Sequence, residues 1–144
     1  MPSYTFDTSV VISRKVSDIP DSVLFSAVVL LELIAGSKDE SERKQYEALA
    51  RDYSKDGSLI VPNFDDWLLA SRILHWLSQD RKRKAGGKTP RLKTGASQRM
   101  ALDALIAVSA RRLKATVITD NWDDFKAIQR YCNVKLIRGS KFFR

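Results

Sequence analysis

Cysteine, histidine and long apolar runs are all scarce in this 144-residue chain, and each scarcity removes a class of protein. The one cysteine, Cys132, makes no internal disulfide and builds no thiolate metal cage; it reads as a small buried residue. The one histidine, His75, gives no imidazole cluster, and it falls on an otherwise apolar helix face, where packing is its expected role. The longest apolar run, residues 27–31, stops at Glu32, well short of the roughly 20 residues that span a bilayer. The opening Met-Pro-Ser-Tyr lacks the basic-then-apolar pattern of a signal peptide, so a cytoplasmic protein without a membrane role is expected. No Gly-x-Gly or Gly-Lys-Ser/Thr spacing marks a nucleotide loop, and no serine sits in a nucleophile elbow.

What remains is an ordinary globular composition, 44% hydrophobic and 29% charged, in a chain sized for one domain over 1–144. Such a chain buries about two thirds of its unfolded surface. Its charge is unevenly placed. Arg81, Lys82, Arg83, Lys84, Lys88, Arg91, Lys93 and Arg99 follow one another without an acidic residue, and together they equal the whole net charge of +8. A basic patch on a neutral body is what a polyanion-binding surface needs; the plainer alternative is a solubilising loop.

Periodicity suggests strands alternating with helices. Residues 3–6 form a short strand ending at Asp7, followed by a helical stretch through Val10, Val11 and Ile12. Residues 23–25 read as a second strand. Ser26 caps a helix that Gly36 ends, and residues 38–55 form an outer amphipathic helix. An extended segment at 59–61 precedes a helix over 64–77 whose apolar face includes Trp67, Leu68, Ile73, Trp76 and Leu77. The stretch 81–95, with Gly86, Gly87, Pro90 and Gly95, reads as a basic loop. A helix over 97–113, a strand over 116–119, a short helix and a last strand over 134–137 complete the chain. This alternation predicts an α/β fold of three layers, a mainly parallel central sheet flanked by helices.

Against that frame four acidic sites stand out. Asp7 ends the first strand, and Asp120 to Asp124 follow the strand of Val117 and Ile118. Ligands in open parallel sheets bind at strand carboxyl ends, so these two groups fall into one crevice without fine-tuning. Glu32 and Asp103 each interrupt an apolar helix run, and a carboxylate facing a core needs a partner. Plainer readings exist for each: Asp7 and Asp120 as helix caps, Glu32 paired with an arginine, Asp103 paired with Arg99, Asp123 solvated. A shared divalent cation satisfies all of them together. An all-oxygen donor set suits Mg²⁺ or Mn²⁺ rather than zinc, and such ions serve phosphodiester cleavage.

Taken in order, these segments resemble the acidic motifs of PIN-domain nucleases, and among them VapC-type toxins of toxin–antitoxin pairs. The N-terminal strand into Asp7-Thr8-Ser9-Val10 is similar to the first motif, and Glu32-Leu33 with Gly36 to the second. Asp103-Ala104-Leu105-Ile106-Ala107 resembles the third and most specific, and Val117-Ile118-Thr119-Asp120-Asn121 with Asp124-Phe125 the last. The resemblance implies a Mg²⁺-dependent endoribonuclease whose metal is held by Asp7, Glu32, Asp103 and either Asp120 or Asp124, with Asn121 competing for that fourth position. It implies that Thr8 and Thr119 orient ligands and that a VapB-like antitoxin restrains the enzyme. The basic loop of residues 82–93 is longer than the family's small toxins lead one to expect, and it is on their charge that the basic residues from Arg81 to Lys93 are expected to hold RNA. Val28, Leu31, Tyr46, Leu49 and Tyr53 are expected to offer that antitoxin, or a second copy in a homodimer, an apolar groove. Alternatives left open are a catalytically weak PIN-like RNA-binding or adaptor protein, a housekeeping PIN nuclease, and another Mg²⁺-dependent α/β phosphatase or nuclease. An aspartyl phosphatase needs a second Asp where Ser9 stands.

Overall fold

The computed structural model describes residues 3–14, 23–88 and 95–143. Among these, five short strands form a parallel sheet: β1 (Ser3–Phe6), β2 (Phe25–Ser26), β3 (Leu59–Ile60), β4 (Ala115–Thr119) and β5 (Leu136–Arg138). β4 lies between β1 and β5, and β2 pairs with β3. A bridge between Tyr4 and Val23, with the Leu24 N–H donating to the Tyr4 carbonyl at 2.8 Å, joins the two parts. The spatial order is therefore β3-β2-β1-β4-β5, and the chain reverses its progress across the sheet between β1 and β4. That reversal leaves a crevice at the carboxyl ends of those two strands.

Seven helices accompany the described strands: α1 (Thr8–Ser13), α2 (Ala27–Ala35), α3 (Glu40–Lys55), α4 (Phe64–Lys84), α5 (Ala96–Arg112), α6 (Trp122–Cys132) and α7 (Gly139–Phe142). Their starts obey local chemistry. Ser26 caps α2 by accepting from the Val28 N–H at 3.2 Å. Asn63 and Asp66 form a capping box at the start of α4. The buried Asp66 carboxylate also accepts from the Arg112 guanidinium at 2.9 Å, and Arg112 reaches the Val61 carbonyl at 3.0 Å. A buried charge is thereby partnered, and the start of α4 is tied to the end of α5.

Side chains of β4 divide the core. Val117 joins a large cluster with α2, α4, α5 and α6, whereas Ile118 turns to a smaller one with Phe6, Val10 and Val23, against which Phe142 packs. A strand covered on both faces is the mark of a three-layer parallel sheet. α5 is buried continuously from Asp103 to Ala110, and Ala104, Ala107 and Ala110 keep its surface small. A helix enclosed on all sides shows no amphipathic stripe.

Several sequence expectations are corrected here. The residues Arg81, Lys82, Arg83 and Lys84 are not part of a loop but the last turn of α4, which continues past residue 77. Lys and Arg are good helix formers and their charge suits a helix's carbonyl end. The chain turns only at Gly86 and Gly87, with φ of 68° and 90°. Residues 89–94, including Arg91 and Lys93, lie outside the described residues. Trp67 and Leu68 do not face the core; they are exposed, and α4 buries Ala70, Ile73 and Leu77 instead. His75 is exposed rather than packed, whereas Cys132 is buried. Val28 is buried and unavailable to a surface groove, although Leu31 is exposed. Among the described residues, no helix is long and apolar enough to cross a membrane.

Candidate active site

A hollow of about 570 Å³ opens at the carboxyl ends of β1 and β4. Asp7 follows β1 directly and is 2% exposed. Its carboxylate caps α1 through the Val10 N–H at 3.1 Å and accepts from the hydroxyls of Ser9 at 2.8 Å and Thr119 at 2.7 Å. Burial pushes the Asp7 carboxyl above its ordinary range, and these hydrogen bonds oppose that shift. Thr119, the last residue of β4, in turn accepts from the Asn121 N–H at 2.8 Å. One hydroxyl thus joins the ends of two neighbouring strands.

Glu32 enters from α2 and accepts from the Thr8 hydroxyl at 2.7 Å. Asp103 enters from α5, and Asp124 from the first turn of α6. The Asn121 amide bridges them, donating to Asp103 at 2.9 Å and to Asp124 at 3.0 Å. Burial, then the charges of Asp7, Asp124 and Glu32, push the Asp103 carboxyl up to about 8, against the pull of the Asn121 amide. Four carboxylates from four segments therefore feel one another across the crevice. None of them pairs with a described cation; Arg99 lines the hollow without bonding Asp103. Glu32 thus finds a hydroxyl rather than an arginine.

Asp120 behaves differently. Arg14 grips both its oxygens at 3.0 Å, Ser13 adds a bond at 3.3 Å, and the guanidinium holds the Asp120 carboxyl below the usual range. The Phe143 ring lies 5.4 Å from the same guanidinium, and a Cβ on Gly139 would collide with the pair. Asp120 lines the crevice as half of an ion pair, not as a helix cap or a free carboxylate. Asn121, rather than Asp120, is the residue that reaches the other carboxylates.

The donor chemistry fits a hard divalent cation, since four oxygen donors share uncompensated negative charge. Among the described residues, no three acidic, histidine or cysteine side chains stand close enough to enclose an ion as they are placed. Like-charge repulsion and the bridging amide account for the open spacing. The basic residues expected to hold substrate lie elsewhere: Arg81, Lys82, Arg83, Lys84 and Lys88 sit at and beyond the end of α4, and none lines the crevice. Arg83 is engaged by Asp80. Sequence reasoning missed Ser9, Arg14 and Gly139. Ser9 had a signal, being two residues after Asp7, where a hydroxyl bonds a carboxylate locally; Arg14 meets Asp120 across 106 residues and had none.

Parallel strands in this order, with carboxylates gathered at the reversal, define an α/β protein built around an acidic crevice. A sequence profile of the PIN domain matches residues 4–131, and the chain belongs to the PIN domain family, whose members are nucleases. Among curated proteins no sequence relative matches. Solved structures of similar fold include VapBC-5 from Mycobacterium tuberculosis, described as a member of the VapBC family of toxin–antitoxin systems. It is 25% identical, with a TM-score of 0.52, covering 96% of this chain and 99% of that one. VapBC-1 from nontypeable Haemophilus influenzae is 22% identical at a TM-score of 0.55, covering 95% and 98%. DNA-bound VapBC from Salmonella typhimurium is 15% identical at 0.56, covering 96% and 98%.

Proposed function

We propose that this PIN-domain chain is a Mg²⁺- or Mn²⁺-dependent endoribonuclease and the toxin of a VapBC-type toxin–antitoxin pair. The observation that carries the catalytic part is the gathering of Asp7, Glu32, Asp103 and Asp124 in one crevice with no described cation to balance them, where burial first and then the charges of the other three push the Asp103 carboxyl up to about 8. These four residues are the metal ligands in this reading. When bound, the ion supplies positive charge for the scissile phosphate and lowers the pKa of water. The chain's own groups prepare the site. Thr119 and Ser9 fix the rotamer of Asp7, Thr8 fixes Glu32, and Asn121 holds Asp103 and Asp124. Asp120, occupied by Arg14, forms the rim.

The toxin part draws support from the fold shared with VapBC proteins and from a second hollow beside the crevice. It measures about 370 Å³ and is lined by Val11, Ile12, Leu33 and Tyr46, with Glu32 common to both hollows. An amphipathic antitoxin helix laid there would set a basic side chain against the carboxylates. Exposed Phe64, Trp67 and Leu68 on α4 offer a surface for a homodimer.

The decisive experiment incubates the purified chain with single-stranded RNA and with DNA of the same sequence, in Mg²⁺, Mn²⁺ or EDTA. RNA cleavage only with metal, lost in Asp103→Asn, is the expected result; cleavage persisting in EDTA overturns the mechanism. Mn²⁺ should also raise the melting temperature of the parent and not of Asp103→Asn. Co-expression with a neighbouring small gene should give an inactive complex that regains activity once the partner is removed. A second reading, an RNA-binding protein without turnover, is favoured by the open spacing of the carboxylates; it predicts RNA retention with no metal-induced stabilisation.

A further inference from the structure

α5 and α6 end near the start of β4, and the last residue of α4, Lys84, lies beside α6. Two hollows of about 540 and 330 Å³ open there, and Asn133 lines both, so they form one groove. Lys84, Lys126 and Arg130 line the first; Arg111, Lys114 and Lys135 line the second; no acidic residue lines either. Arg130 leans on Asp80 at 3.3 Å, and the other five have no acidic partner among the described residues.

The plainest use for cations here is to neutralise helix carbonyl ends. Three such ends carry roughly −1.5 charges in all, and five unpaired cations exceed that by roughly 3.5. The surplus is not needed for the fold. α6 connects this groove to the crevice. Asn121 and Asp124 at its start face the carboxylates, whereas Lys126, Arg130 and Asn133 face the groove. Its 11 residues span about 16 Å. Between the two sites the Trp122 ring is flanked by the Lys126 ammonium at 5.8 Å and the Arg138 guanidinium at 4.5 Å, so positive charge continues along the helix.

We propose that this groove binds the sugar–phosphate backbone of a single nucleic-acid strand running along α6 from the crevice. A ligand that meets both ends of α6 and is cut at one of them is a polymer with a phosphate in every unit. The polymer's identity rests on the nuclease reading; the groove rests on its own charges. Lys84 belongs to the basic sequence run as well as to the groove.

Binding of a fluorescent single-stranded RNA of about 15 nucleotides, followed in EDTA over a range of salt, tests the groove. The variant Lys84→Gln/Arg111→Gln/Lys135→Gln is compared with Lys44→Gln/Arg51→Gln/Lys55→Gln, which removes the same charge from the exposed face of α3. The groove variant should flatten the log–log salt slope by about two units, at about 0.7 per lost phosphate contact, and weaken binding at least tenfold at low salt. The α3 variant should keep the parent's slope. Equal effects from both variants, or none from either, overturn the proposal. So does poly-glutamate competing as well as RNA, which would make the groove a site for acidic protein. If the triple variant melts early, Lys126→Gln and Lys135→Gln read the same slope singly, at about 0.7 each, and an unchanged slope overturns the proposal equally. With Mg²⁺ added, a dinucleotide, too short to reach the groove, should be cut equally by parent and groove variant, and the longer RNA more slowly by the variant. Cleavage with an unchanged slope removes the groove and spares the nuclease; a flattened slope without any cleavage does the reverse.

Discussion

The two ends of the sheet carry opposite charge in opposite ways. At the carboxyl end, four carboxylates are brought together from four segments, where burial and the charges of the other three raise the Asp103 carboxyl and hydroxyls hold Asp7 and Glu32. At the amino end, cations stand exposed to water around the ends of α5 and α6. Burial makes electrostatics strong and local; exposure makes it weak, additive and sensitive to salt. A single substitution should therefore cripple the first region, whereas the second should yield only to several.

The largest effect expected is on chemistry. Asp7→Asn should reduce RNA cleavage by orders of magnitude while the protein stays folded, as checked by turnover and circular dichroism together; near-parental activity would erase the distinction between the two ends.

Next comes pH. The folded Asp103 carboxyl, at about 8, lies above its unfolded value, so the native state holds a proton that the unfolded chain releases. Metal-free stability should therefore be highest near pH 4 and fall as pH rises toward 8, then level off. Asp7, shifted the same way, adds to the fall. By pH 7 the loss amounts to as much as roughly 4 kcal/mol, at about 1.4 kcal/mol per pH unit. Denaturant titrations should show Asp103→Asn losing most of this slope, and saturating Mg²⁺ should flatten it in the parent.

A smaller effect is expected at Thr119. Thr119→Val removes the hydroxyl that joins Asp7 to the Asn121 N–H, and such supporting contacts contribute about 10–100-fold to metal affinity or activity. Raised Mg²⁺ should recover part of the loss, which it should not do for Asp7→Asn. The smallest effect separates Asp120 from Asp124. Asp120→Asn should leave Mn²⁺ stabilisation near the parental value and cost about 1 kcal/mol or less, as befits a partly exposed ion pair. Asp124→Asn should abolish it. The opposite ranking would place Asp120 among the ligands.

Sequence patterning showed most of the fold because strand and helix periods were clean: the strands, the caps at Asp7 and Ser26 and the helix of Asp103 are local in origin, and the alternation of strands with helices implied the parallel pairing. Asp103 and Glu32 were legible as candidates because an unpaired carboxylate on an apolar run is costly, and both line the crevice. The choice between Asp120 and Asp124 was not legible, since it depends on Arg14 and Gly139 arriving from distant parts of the chain. The end of α4 was misread because a run of lysine and arginine is equally at home in a loop and on a helix. The groove was half visible: the sequence run contains Lys84, but Lys126, Arg130 and Lys135 are spread through an ordinary-looking C-terminal third.

The pairing of Ser3 with Ala115 has a consequence during synthesis. β1 is synthesised long before β4, its neighbour on one side of the sheet. Until β4 and the start of α6 have left the exit tunnel, Asp7 has no Thr119 to hold it and neither Asp103 nor Asp124 to face. On the proposed nuclease reading, the chain has no cutting edge until those segments are made.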